Sequence, residues 1–100
     1  MPAMTGRCFA PPITEANLRD WPSLFVHQSS HVRGVVAKLR NLVMEARDGD
    51  GSLAAPPTAQ ERKDWGELFD TIKSTIPRNA AFHLLWAVNE IALGRMPTFA

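Results

Sequence analysis

Residues 79–94 read NAAFHLLWAVNEIALG, and from Ala80 to Leu93 the only strongly polar side chains are His83, Asn89 and Glu90. A helix that is apolar nearly all the way round has to be covered on several sides. The stretch therefore predicts the central helix of an all-helical domain, with Leu85 and Trp86 touching its neighbours. Asn79 is placed to cap its start, and Gly94 suits the left-handed backbone that ends a helix, with Pro97 just beyond.

The segments before it read as helices that need such a surface to pack on. Thr58 is followed three residues later by Glu61, a capping box, and Trp65, Leu68, Phe69, Ile72 and Ile76 then recur at helical spacing until Pro77 stops the run. Residues 48–57, DGDGSLAAPP, form an inter-helix loop. Upstream, Val32, Val35, Val36, Leu39, Leu42 and Val43 define a helix over 31–47. Its stripe runs back through Phe25 and Leu24. Pro22 suits a first helical turn and Ser29 or Ser30 suits a cap, so 22–47 is either one kinked helix or two shorter ones. Thr14 caps a short helix ending near Trp21. Residues 1–13, with Pro2, Gly6, Pro11 and Pro12, read as an irregular arm pinned by Phe9 and Ile13. The fold class is all-α: one domain over 1–100, a compact small bundle of about four helices with the apolar C-terminal helix at its centre.

Composition agrees with one core. One hundred residues with 45% hydrophobic and 21% charged side chains close a single hydrophobic interior. Eleven Lys and Arg against ten Asp and Glu leave a formal charge of +1, too small for a long-range field, which argues against both an acidic nucleic-acid mimic and a strongly basic binder. The single cysteine, Cys8, allows no intrachain disulfide and suits a reducing, cytoplasmic setting. No apolar run approaches the roughly 18 residues of a membrane span.

Motifs for chemistry are incomplete. His27 and His31 have the spacing of a zinc-peptidase helix, but Gln28 cannot serve as general base and no third ligand follows at that spacing. Asp48, Asp50 and Ser52 hint at a calcium loop, yet in either register the turn Gly or the bidentate Glu is missing. Cys8 has only Arg7 beside it to activate a thiolate. No nucleophile elbow or phosphate loop is present. The sequence thus predicts no enzyme, cofactor or metal. His83 and Glu90, seven apart on the last helix, share a face and read as either a satisfied buried pair or an exposed polar strip, and Trp65 and Trp86 read as core.

Arg33, Arg40 and Arg47 recur every seven residues and so lie in one row along about 21 Å of helix. No acid stands three or four residues from Arg33 or Arg40. Pairing with Asp64 or Glu67 on the helix beginning at Thr58 would make the row structural. The alternative is recognition, since guanidinium groups bind carboxylates or phosphates in bidentate fashion. Ala37 and Met44 lie between the arginines and make the strip partly apolar, as in a protein-binding surface.

The expected partner-binding residues are therefore Arg33, Ala37, Arg40, Met44 and Arg47, and replacing the three arginines with Ala is expected to leave the fold intact. The function these features imply is a small non-enzymatic inhibitor or adaptor that occludes a surface of a larger protein complex. Its narrowest form is a phage- or mobile-element-encoded inhibitor of the anti-CRISPR type. Nucleic acid along the arginine row is the second reading, since the last helix has no Lys or Arg and makes a poor recognition helix. A homo-oligomeric structural protein, at its simplest a homodimer, is the third.

Overall fold

The computed structural model of the chain describes residues 12–100, the side chains of 78–81 excepted. Cys8 and Phe9 of the expected arm lie outside the described residues, as does the side chain of Asn79. Among the described residues there are four α-helices, α1 (Glu15–Asp20), α2 (Ser30–Asp48), α3 (Ala59–Thr75) and α4 (Arg78–Ala92), with a 3-10 turn (Trp21–Phe25) between α1 and α2. The protein is a small all-α bundle.

Local chemistry sets each boundary. Thr14 Oγ1 accepts the Asn17 N–H at 3.0 Å while Asn17 Oδ1 accepts the Thr14 N–H at 2.9 Å, a reciprocal cap that starts α1. Residues 22–47 are two elements. Ser29 is extended (φ −64°, ψ 162°) and its hydroxyl accepts the Val32 N–H at 3.2 Å, so a new helix begins there. Thr58 and Glu61 form the second capping box, at 3.0 and 2.9 Å. Ile76, before Pro77, is extended and ends α3.

The last helix starts earlier than the sequence suggests. Pro77, not Asn79, holds the N-cap position, and the backbone of Asn79 is already helical. Pro77 has a φ of −56°, a value fixed by its ring, so the chain turns directly out of α3 into α4 without a side-chain cap. At the other end Gly94 adopts φ +85°, its N–H bonds to the Ile91 carbonyl at 3.0 Å, and the Arg95 N–H bonds to that of Glu90 at 2.9 Å. These paired contacts form a Schellman cap. The chain then runs to a single parallel bridge: Ile13 N–H to the Thr98 carbonyl and Ala100 N–H to the Ile13 carbonyl, both 2.9 Å. Ile13, the end of the predicted arm, is thereby fixed and buried.

The core is assembled from one face of each helix. Val36, Leu39 and Val43 of α2 meet Trp65, Leu68 and Ile72 of α3 and Leu84, Ala87, Val88 and Ile91 of α4, closed by Leu18, Trp21 and Phe25. Trp21 and Trp65 are fully buried, as a core reading requires. Trp86 is only partly buried, on the side of α4 away from Leu84 and Val88, where Phe82 and Asn89 are exposed.

His83 joins α4 to the first helical segment. Its Nδ1 accepts the Trp21 indole N–H at 3.3 Å, its Nε2 lies 3.2 Å from the Asn17 side-chain amide, and its ring stacks on Trp21. An indole can only donate, so this imidazole is neutral at Nδ1. His83 and Glu90 do not pair among the described residues; Glu90 instead accepts from Nε and Nη2 of Arg95, each at 2.9 Å, which lowers its carboxyl pKa.

Two outcomes follow from this packing. Leu39→Ala, at a position with no exposure, should cost about 2–5 kcal/mol in urea unfolding. Burial pushes the His83 pKa below its ordinary 6.5, against a smaller opposing effect of the Asp20 carboxylate. Its neutral form therefore contributes stability that is complete above pH about 6.5 and is lost as pH falls from there through the lowered pKa. Urea midpoints measured above and below that window should drop on acidification, and His83→Gln should flatten the drop.

Candidate functional site

The arginine row is present on α2, and the structure divides it. Leu18 lies in the last turn of α1, and the residue four positions on, which would give its carbonyl a helical partner, is Pro22 with no N–H. Arg40 supplies the missing donor: its Nε bonds to the Leu18 carbonyl at 2.7 Å. Arg47 reaches Glu15, in the first turn of α1, and also Asp48 at 3.4 Å. Two of the three guanidinium groups thus stitch α1 along α2. Met44, between them, is half-buried against the core.

Arg33 is different. Among the described residues it has no carboxylate partner, only a long contact from Nη2 to the Ser30 hydroxyl at 3.4 Å. Ala37, one turn on, is exposed.

The acids that were expected to pair with the row do not. Asp64 accepts from Gln60 at 3.0 Å and Glu67 stands 3.5 Å from His31, because the row faces α1 and the 3-10 turn while α3 packs on another side of α2. Nor should replacing all three arginines be neutral, since Arg40 and Arg47 hold α1 in place.

A groove of about 310 Å³ runs between the 3-10 turn and α2. Pro22, Phe25, Val26, Val36 and Ala37 provide its apolar lining, and Arg33, Arg40 and Asn41 its polar edge. Val26, 59% exposed, lies on this groove. Arg33, Ala37 and Arg40 of the predicted surface are brought together here; Met44 and Arg47 are not among the lining residues.

A second cleft, about 380 Å³, opens between α3 and α4 and is lined by Phe69, Lys73, Phe82, Leu85, Trp86 and Asn89. Phe82 packs edge-on to Trp86, with centroids 6.2 Å apart, and Lys73 lies 5.5 Å from the centre of the Phe69 ring. The sequence carried a signal for it: Phe82, Leu85, Trp86 and Asn89 share helical spacing opposite to Leu84, Val88 and Ile91.

The remaining candidates have ordinary surroundings. His27 is exposed in the turn before Ser29, so it is not on one helical face with His31. Asp50 accepts both the N–H and the hydroxyl of Ser52, at 3.0 and 2.6 Å, a local turn. No helix of the described residues is long and apolar enough to cross a membrane. Comparison with protein-family models, curated proteins and solved structures gives no match.

The division of the row is testable by stability alone. Arg40→Ala removes a charged donor from a carbonyl that has no other helical partner and should cost about 1.5–3 kcal/mol. Arg33→Ala should change the same urea unfolding free energy by less than about 0.5 kcal/mol, as for an exposed side chain without a partner.

Proposed function

We propose that this domain acts by binding another protein, as an inhibitor or adaptor without catalysis of its own, through the groove between the 3-10 turn and α2. The observation that carries this reading is Arg33: a guanidinium without an acid partner among the described residues, set beside an apolar groove that leaves Val26 open to solvent. An aliphatic contact bordered by a guanidinium suits a protein segment that places a carboxylate next to a bulky apolar side chain. Arg40 adds to the groove only the nitrogens left over from its bond to Leu18.

The same division weakens the nucleic-acid reading. A phosphate track needs several unengaged cations in register. Here Arg40 and Arg47 are occupied, and Ala37 separates Arg33 from Arg40. The α3–α4 cleft is the more apolar of the two surfaces, and among its described lining residues the one cation, Lys73, lies over the Phe69 ring. The narrowest form of this reading, a mobile-element inhibitor of an antiviral defence complex, rests on the small helical form of the domain and on no motif.

Selection of a random peptide library on the intact chain tests the groove. Selected peptides should share an acidic residue beside a large apolar one. Their affinity should fall about 10–100-fold with Arg33→Ala, the loss of one charged hydrogen bond, and comparably with Val26→Asp. It should be unchanged by Phe82→Ala. Peptides insensitive to Arg33 and Val26 would overturn the assignment, as would binding of duplex DNA or RNA that weakens steeply with salt through Arg33.

A further inference from the structure

Asp64 is the one buried charged side chain among the described residues, 9% exposed, and it has no cationic partner there. Its single side-chain hydrogen bond comes from the Gln60 amide to Oδ1 at 3.0 Å. A carboxylate out of water without a counter-charge is costly. Glu67 follows three residues later on the same face of α3 and brings a second negative charge beside it. Across the helix interface, His31 in the first turn of α2 places Nε2 3.5 Å from Glu67 Oε1. One ligand atom from each of His31, Asp64 and Glu67 lies within 4.8 Å of the others, and the three line a cavity of about 250 Å³ walled by Val32, Val35 and Leu68.

We propose that His31, Asp64 and Glu67 form a binding site for a divalent transition metal of the Zn²⁺ type, which ties the start of α2 to the middle of α3. Two carboxylates supply the charge that a dication needs, and the imidazole nitrogen selects a borderline ion over Mg²⁺ or Ca²⁺, which prefer oxygen alone. A tetrahedral ion about 2.0–2.2 Å from each ligand needs donor atoms about 3.4 Å apart. The His31–Glu67 pair is already at that separation. Both of those side chains are more than half exposed and free to swing, while Asp64 is fixed by burial and by Gln60. The fourth position faces solvent and takes water. The sequence offered His27 as the companion of His31; the fold replaces it with two carboxylates from a helix more than thirty residues away.

Titration of the intact chain with ZnCl₂ in a calorimeter, alongside MgCl₂ and the visible absorption of added Co²⁺, tests the site. One Zn²⁺ should bind per chain, Mg²⁺ should not compete, and Co²⁺ should show the intense bands of a four-coordinate ion. His31→Ala, which changes an exposed side chain and so spares the fold, should weaken Zn²⁺ at least about tenfold, as should the isosteric Asp64→Asn. His27→Ala and Cys8→Ser should bind as the parent does. The proposal is overturned if no stoichiometric Zn²⁺ binds, if His31→Ala binds unchanged, if Mg²⁺ binds equally well, or if binding disappears with Cys8→Ser.

Discussion

Trp21 is the side chain on which the arrangement of this chain turns. It ends α1 and opens the 3-10 turn, is fully buried, and gives its one polar atom to His83 on α4. A tryptophan contributes a large apolar area, and burying it without an acceptor for its N–H costs free energy. Sequestering it therefore fixes α1 and the 3-10 turn against α4 in one orientation. The groove with Arg33 and Val26 exists because the 3-10 turn is held there.

The second constraint is the proline that follows. Pro22 denies the Leu18 carbonyl its helical donor, and Arg40 answers from α2. One proline in the turn thus sets the role of an arginine eighteen residues later. A row that is uniform in spacing is not uniform in function: Arg40 and Arg47 satisfy the ends of α1, whereas Arg33, beyond the reach of α1, is left to solvent and to any partner.

Helix positions were legible because their signals are local. Thr58 with Glu61, Ser29, Gly94 and the apolar stripes of 31–47 and 58–76 all act within one or two turns of chain. At the start of α4 the sequence points to Asn79, a strong capping residue by type, whereas Pro77 sets the turn by ring geometry. Trp86 has the pattern of a core residue because an apolar residue on an apolar helix carries no mark of which neighbours will arrive, and it lies only partly buried beside the exposed Phe82 and Asn89. The spacing offered Asp64 and Glu67 to the arginines but not Glu15, the Leu18 carbonyl or the meeting of Glu67 with His31. Those contacts with α2 arise from the packing of separate helices, and nothing in spacing along the chain announces them.

Amide hydrogen exchange measured residue by residue on the intact chain at neutral pH is the most direct test of the Trp21 junction. If Trp21 and His83 lock the first segment to the bundle, the indole N–H of Trp21 and the amide of Leu18 exchange only through the global opening that also exposes Leu39 in α2. Exchange at these two positions far faster than at Leu39, through a separate opening of α1, would contradict it.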